Sequence, residues 1–171
     1  MHCRPVFTSD VIQKRVKELG RQLTRDYKEK DLVVVCVLKG AFVFFSDLVR
    51  QIDLQIEMDF VRLSSYHNNT SSSGKVLFLK DMELSVEGKH LLLVEDIVDS
   101  GRSMAYLKKV LEARQAKSIK ICALIDKKER REVDVLVDYV GFEVKQGFLV
   151  GYGLDYAEKY RNLPDVCELI F

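Results

Sequence analysis

The chain has 171 residues, of which 47% are hydrophobic and 31% charged, and its formal net charge is +1. These values are typical of one soluble globular domain, here residues 1–171, and a charge near zero gives no reason to expect a face that binds nucleic acid. The longest apolar run, residues 32–38, is far shorter than the ~20 residues that cross a bilayer, and residues 1–5 lack the apolar core of a signal peptide.

The cysteines indicate a reducing environment. Cys3, Cys36, Cys122 and Cys167 are scattered along the chain without a C-x-x-C spacing. Cys36 and Cys122 lie in apolar strand patterns, where a free thiol packs as a small hydrophobic side chain. The pattern predicts four reduced cysteines in a cytoplasmic protein. Of the three histidines only His2 is near a cysteine, the adjacent Cys3, and no metal-ligand spacing joins the histidines to the cysteines, so there is no basis for a zinc site.

Residues 9–27 are predicted to form an amphipathic helix that Thr8, Ser9 or Asp10 can cap. Its apolar residues recur at steps of three and four, which places them on one face. This helix is a packing element to which we assign no chemistry. The apolar residues are Ile12, Val16, Leu19, Leu23 and Tyr27.

A buried strand is predicted at residues 32–38, where a continuous run of mostly β-branched residues favours burial on both faces. Lys39 and Gly40 follow, and a helix is predicted from about residue 41 to 51. Gly40 lets backbone approach a ligand closely, and Lys39 supplies positive charge. The unit is therefore a strand, a loop suited to an anionic ligand, and a helix.

A further strand is predicted at residues 56–63, followed by a polar segment at residues 64–74. This segment is long for a connection inside a compact domain, which is typical of a lid or a disordered loop. Residues 76–79 are predicted to form a short strand, and residues 87–89 a turn.

The most informative stretch is residues 91–103. An apolar run predicts a buried strand, and three acids, Glu95, Asp96 and Asp99, follow within five residues. A short small-residue loop then leads into a helix predicted at residues 103–114. Unpaired amides at such a loop and helix start bind anions. One ligand that suits both parts is a phosphorylated sugar, with hydroxyls for the acids and a phosphate for the amides.

The apolar run of residues 118–125 predicts another strand, ending at Asp126, Lys127 and Lys128. A strand, a helix and a strand of these lengths form a right-handed unit with parallel strands. Ligands bind outside the carboxyl ends of such strands, so we expect Lys127 near the acidic loop. Residues 133–150 are predicted to hold two short strands around Gly141 and Gly147.

Residues 91–103 resemble the phosphoribosyl pyrophosphate (PRPP) loop of the type I phosphoribosyltransferases: four apolar residues, an acid pair, two apolar residues and a small phosphate loop. Asp99 is similar to the acid of the 6-oxopurine members, so the resemblance is to the hypoxanthine(-guanine) phosphoribosyltransferases. It covers roughly residues 5–170 and is closest to the compact bacterial members. It implies an α/β fold with a central, mostly parallel sheet flanked by helices, and a small hood from the terminal segments.

The resemblance also implies roles for individual residues. Glu95 and Asp96 would bind the ribose hydroxyls and, with Asp155, a magnesium ion. Asp99 would be the general base at N7 of the purine and part of the phosphate site. The other implied roles are pyrophosphate binding by Lys39, Gly40 and Arg161; phosphate binding by Ser100, Gly101, Arg102 and Ser103; purine binding by Lys127, Phe148 and the backbone of Leu149; and a mobile lid at Ser65 and Tyr66.

Two points of the resemblance concern local structure. In the family, the lysine equivalent to Lys39 often follows a cis peptide, which a sequence cannot show. Gly153 is a departure, since the family often has alanine there.

The function implied by the resemblance is purine salvage: Mg²⁺-dependent transfer of 5-phosphoribose from PRPP to N9 of hypoxanthine, and also guanine, giving IMP or GMP and pyrophosphate. The partners would be these small molecules, with no nucleic acid or membrane, in a homodimer or homotetramer. One alternative is transfer to another base, xanthine or uracil; Asp99 with Lys127 favours a 6-oxopurine but leaves xanthine open. The other is a PRPP-sensing regulator that binds nucleic acid, which the near-neutral charge disfavours.

Overall fold

The computed structural model describes residues 2–66 and 75–171, which form nine strands and three helices. Their bounds are β1 His2–Phe7, α1 Ser9–Asp26, β2 Leu32–Leu38, α2 Phe42–Val49, β3 Glu57–Tyr66, β4 Lys75–Lys80, β5 His90–Val98, α3 Arg102–Ala113, β6 Ser118–Lys127, β7 Tyr139–Val144, β8 Leu149–Val150 and β9 Val166–Ile170.

The central sheet has six strands in the order β4-β3-β2-β5-β6-β7. All neighbours are parallel except β3 and β4, which are antiparallel. β2 is buried along nearly its whole length, because its side chains point alternately to two covered faces. Val34 and Cys36 pack in the core cluster that contains α1 and α2, whereas Val33 and Val35 pack in the cluster that contains α3. The predicted parallel sheet flanked by helices is confirmed.

The terminal segments form a second, antiparallel sheet in the order β1-β9-β8. It is the hood that the resemblance implies. The hood shares its core with the main sheet: Leu149 and Val166 belong to the same apolar cluster as α1 and α2. Phe7 also stacks on Phe142 of β7, with ring centroids 4.1 Å apart.

Most predicted elements lie within a few residues of the observed ones, and two differ. The polar segment predicted at residues 64–74 begins later, because β3 continues to Tyr66 and pairs with β4 there. The backbone of Ser65 and Tyr66 is therefore strand, and the rest of the predicted lid lies outside the described residues. The first of the two strands predicted in residues 133–150 starts only at Tyr139, and residues 133–138 are irregular.

Within residues 2–66 and 75–171, no helix combines the length and the apolar character needed to span a membrane. All four cysteines are free thiols, as the sequence predicts.

Candidate active site

Two ligand-suited loops meet at the edge of the central sheet. β5 lies parallel to β2 on one side and to β6 on the other. The chain after β2 proceeds outward to β3, whereas the chain after β5 proceeds to β6, so the strand order reverses between β2 and β5. Open α/β sheets bind ligands outside the carboxyl ends of the strands at such a reversal. The loops at this position are residues 39–41 and 99–101.

The turn that follows β5, residues 99–103, is called the phosphate turn below. It lines a cavity of about 180 Å³ that the acid Glu95 also borders. Gly101 immediately precedes α3 and lines the cavity, so the unpaired N–H groups of the first turn of that helix lie next to the cavity. The side chain of Arg102 pairs with Glu132 and is thereby partly neutralised. The structure thus has a cavity at the helix start where the sequence predicts an anion site, and anion binding there stays a prediction.

Glu95 and Asp96 form an acidic pair, of which Glu95 lines this cavity. Burial raises the pKa of Glu95 well above its usual range, and the adjacent charge of Asp96 raises it further. Burial also raises the pKa of Asp96, while hydrogen bonds and the charge of Arg161 oppose that shift. The backbone N–H of Ile97 donates to Asp96 Oδ1 at 2.8 Å. Two adjacent carboxylates in a desolvated place suit a ligand with hydroxyl donors or a cation.

Asp99 has an unused acceptor. Its Oδ1 is buried and has no hydrogen-bond partner among the described residues. Buried polar atoms are normally paired, and an unpaired one at a cavity points to a partner supplied by a ligand. Its backbone carbonyl, by contrast, accepts a hydrogen bond from Arg131 Nε at 2.9 Å.

The other end of the site, here called the cation end, consists of Lys39 and Arg161 with the acids Asp155 and Glu158. Lys39 Nζ lies 2.9 Å from Glu158 Oε2, and Arg161 Nη2 lies 3.4 Å from the same oxygen. Arg161 Nη2 also pairs with Asp155 Oδ1 at 2.9 Å. The hydrogen bond that Lys39 donates lowers the pKa of Glu158, and the hydrogen bond and charge of Arg161 act in the same direction. The two predicted pyrophosphate-binding cations are therefore brought together, and one acid joins them.

Backbone contacts bring the cation end against the acidic pair. A Cβ on Gly40 would lie only 1.7 Å from Asp96 Oδ2, so that carboxylate rests on the Gly40 backbone. Gly153 has a φ of +102°, and a Cβ there would lie 2.1 Å from the carbonyl oxygen of Gly40. Gly153 therefore suits the close packing at this position. The peptide bond between Leu38 and Lys39 is cis.

The residues predicted to hold the base occupy two elements. Lys127 ends β6 and is 5% exposed, with its Nζ 3.2 Å from Glu129 Oε2. Phe148 precedes the hood strand β8, with its ring edge-on to Tyr156 and Phe171 at centroid distances of 5.6 and 5.8 Å. The side chain of Leu149 is buried. The purine-binding roles of Lys127, Phe148 and Leu149 stay predictions.

The three predicted magnesium ligands do not converge on one point. Among the described residues there is no group of three or more Asp, Glu, His or Cys side chains that could hold a metal ion, so Glu95, Asp96 and Asp155 do not form a protein cage. Arg161 lies between Asp155 and the acidic pair, since it pairs with Asp155 and its charge lowers the pKa of Asp96. These carboxylates still fit Mg²⁺, which prefers oxygen ligands and takes several of them from water or substrate phosphate.

Sequence reasoning missed two residues of the site. Glu158 carried no motif signal, although its place between Asp155 and Arg161 could have marked it as close to the cations. Arg131 belongs to a run of charged residues, 126–132, that is typical of a solvated loop. Its role depends on which carbonyl groups it meets, and no spacing in the sequence reveals that.

Comparisons with known proteins show the family of the chain. The family model for the phosphoribosyl transferase domain matches residues 8–157. The chain is 52% identical over 159 residues to the hypoxanthine-guanine phosphoribosyltransferase of Bacillus subtilis (strain 168), covering 93% of this chain and 88% of that protein.

Solved structures show the same fold. A hypoxanthine phosphoribosyltransferase from Staphylococcus aureus superposes with a TM-score of 0.94 at 44% identity, covering 98% of this chain and 91% of the other. A hypoxanthine-guanine-xanthine phosphoribosyltransferase superposes with a TM-score of 0.88 at 39% identity, covering 98% and 97%.

Proposed function

Because the chain belongs to the phosphoribosyltransferase family, we propose that it catalyses purine salvage: Mg²⁺-dependent transfer of 5-phosphoribose from PRPP to N9 of hypoxanthine or guanine, giving IMP or GMP and pyrophosphate. One observation carries the proposal. The acidic pair lies between the phosphate turn, whose cavity Glu95 lines, and the two cations Lys39 and Arg161, which are paired with acids. A ribose with a phosphate at one end and a pyrophosphate at the other needs this arrangement.

The cation end is assigned to the leaving group. Lys39 and Arg161 would bind the pyrophosphate and stabilise its growing negative charge as the bond to ribose breaks. Glu95 and Asp96 would hold the ribose hydroxyls, and their negative charge suits a ring that becomes cationic. When bound, Mg²⁺ would supply further charge neutralisation on the phosphate oxygens, with Glu95, Asp96 and Asp155 as its protein ligands.

The base is assigned to the other side of the phosphate turn. Lys127 would donate to the 6-oxygen of the purine, with Phe148 stacked on the ring and the Leu149 backbone at its edge. Asp99, whose buried Oδ1 is unpaired within the described residues, would exchange a proton with N7 as N9 attacks. A xanthine acceptor differs only at position 2 and is the second candidate, since a structurally similar relative carries xanthine in its name.

Location and assembly are also proposals. The free thiols support a cytoplasmic protein. The apolar cluster shared by hood and main sheet supports one domain over residues 1–171. Exposed apolar side chains on β3 and β4, such as Met58 and Leu79, support a homodimer or homotetramer, which light scattering of the purified protein would test. Ser65 and Tyr66 stay assigned to a lid.

The function is tested by incubating the protein with PRPP and, separately, hypoxanthine, guanine, xanthine or adenine, and measuring nucleotide formation. We expect turnover of the first two bases and its loss in EDTA. Adenine presents an amino group to Lys127, and a donor left unpaired can discriminate by ~10⁴. Undiminished activity in EDTA would contradict the metal role, and adenine competing equally with hypoxanthine would contradict the role of Lys127.

A further inference from the structure

One arginine outside the predicted site holds the phosphate turn from behind. Arg131 lies between β6 and β7, and its side chain is only 15% exposed. Its Nε donates to the Asp99 carbonyl oxygen at 2.9 Å, and its Nη2 donates to the Val98 carbonyl oxygen at 3.1 Å. The same guanidinium pairs with Asp126 at the end of β6. A single side chain thus joins the carboxyl ends of β5 and β6.

The backbone next to Arg131 continues this support. The N–H groups of Glu132 and Val133 both donate to the Ser100 carbonyl oxygen at 3.0 Å. Gly101 has a φ of +81°, and a Cβ there would lie 2.4 Å from the Val133 carbonyl oxygen. Residues 131–133 therefore pack directly against the phosphate turn, on the side where its carbonyl groups point.

Peptide geometry shows in which direction the N–H groups of Ser100 and Gly101 point. In a trans peptide the C=O and the following N–H point in opposite directions. The Asp99 carbonyl shares its peptide with the Ser100 N–H, and the Ser100 carbonyl shares its peptide with the Gly101 N–H. Because residues 131–133 hold both carbonyls, both N–H groups point away from that segment. Backbone N–H groups that are exposed together in a loop at a helix start can bind phosphate.

We propose that Arg131 is a positioning residue for the 5′-phosphate of PRPP and of the product nucleotide, acting by orienting the Ser100 and Gly101 amides, and that it does not itself touch the ligand. The proposal rests on the function proposed above. A lysine would keep the charge that faces Asp126, but it lacks the planar fork of donors that reaches two carbonyl groups at once. The expected effect is therefore specific to arginine and specific to phosphate.

The test compares IMP with inosine, which lacks the 5′-phosphate, by isothermal titration calorimetry. Arg131→Lys should lower the ratio of inosine Kd to IMP Kd about tenfold, the effect of misaligning a charge-assisted hydrogen bond. Arg130→Lys is the matched control, because Arg130 is exposed, and its ratio should equal that of the wild type. An unchanged ratio in Arg131→Lys overturns the proposal, and so does an equal loss of affinity for both ligands.

The same titration separates this proposal from the proposed function. Wild-type protein that binds inosine as tightly as IMP would count against the function itself. Wild-type protein that prefers IMP supports the function, and only the Arg131 variants then decide the positioning role.

Chemical rescue gives an independent measurement. A cavity of about 460 Å³ borders Arg131 and Asp126, so free guanidinium can enter where the side chain is removed. Millimolar guanidinium should restore IMP affinity to Arg131→Ala and leave Arg130→Ala unchanged. Failure of rescue in a variant that unfolds at the wild-type temperature overturns the proposal. If Arg131→Ala does not fold, the Arg131→Lys ratio decides.

Discussion

At the phosphate turn, backbone carbonyls are held by a largely buried arginine and by the backbone of residues 132 and 133. At the cation end, partly exposed side chains hold one another: Lys39 is 44% exposed and Glu158 is 64% exposed. Both regions are predicted to bind phosphate groups of the same substrate. One presents neutral backbone donors in a fixed direction, and the other presents charges that already have a partner.

The difference indicates how each end changes when a ligand arrives. Buried, hydrogen-bonded groups stay in place, so the phosphate turn needs little rearrangement. Exposed ion pairs contribute little to stability and exchange partners readily. On the proposed function, pyrophosphate would therefore replace Glu158 between Lys39 and Arg161, and the same carboxylate would return when pyrophosphate leaves. A rigid end would hold the product nucleotide while an exchangeable end releases the leaving group.

The largest expected effect tests whether Asp99 of the phosphate turn is a general base or only helps to shape the phosphate site. Asp99→Asn keeps the shape of the side chain and one acceptor but removes its basicity, so kcat should fall by ~10²–10⁴ while PRPP affinity changes only a few-fold. Pre-steady-state measurement of the chemical step avoids masking by product release. Asp134→Asn, at an exposed position, is the control.

A different outcome for Asp99 would assign it to the scaffold. If Asp99 only accepts loop amides, PRPP affinity should fall and kcat should survive at saturation. Chemistry at the wild-type rate in Asp99→Asn would reject the role of general base.

The second effect concerns the cation end and has the opposite sign. Glu158→Gln removes the charge that neutralises Lys39 and Arg161, so affinity for Mg²⁺-pyrophosphate should rise a few-fold. Slower release of pyrophosphate should then lower kcat at saturating substrate. Product-inhibition kinetics measure both. Glu143→Gln, which removes another exposed acid paired with a lysine, should change neither, and weaker pyrophosphate binding in Glu158→Gln would contradict competition by Glu158.

The smallest effect concerns stability and pH. Burial raises the folded-state pKa of Glu95, so the folded protein binds a proton that the unfolded chain releases. The free energy of unfolding should therefore fall as pH rises from the ordinary carboxyl range through the raised pKa. Glu95→Gln lacks this loss and should gain stability relative to wild type at neutral pH. Urea unfolding across pH checks this, with exposed Glu87→Gln as the control; equal pH slopes in wild type and Glu95→Gln would contradict it.

The sequence predicted the main sheet well because its evidence is local. The β-branched run of β2 and the apolar run of β5 show burial on both faces without knowledge of their neighbours. The strands β1 and β9 were not recognised, since they pair across almost the whole chain and neither has a strong alternating pattern. Pro5 also disfavours a strand, because proline has no N–H to donate to a neighbouring strand. It nevertheless lies in β1, next to an irregularity in the pairing with β9.

The site divides in the same way. Residues 95–103 are contiguous, so their chemistry is visible as one motif, and the structure places most of them, though not Asp96 or Arg102, around one cavity. Arg131 and Glu158 act on groups from other loops. Their partners, the Asp99 carbonyl and the Lys39 ammonium, lie 32 and 119 residues away in the chain. A backbone carbonyl has no sequence signature, so a residue that holds one cannot be identified before the fold is known.

The comparison of the two ends is tested most directly by titrating IMP and Mg²⁺-pyrophosphate separately into Arg131→Lys and Glu158→Gln. Arg131→Lys should weaken IMP and leave pyrophosphate unchanged, whereas Glu158→Gln should strengthen pyrophosphate and leave IMP unchanged. If each substitution changes both affinities in the same proportion, the two ends are not independent and the account is contradicted.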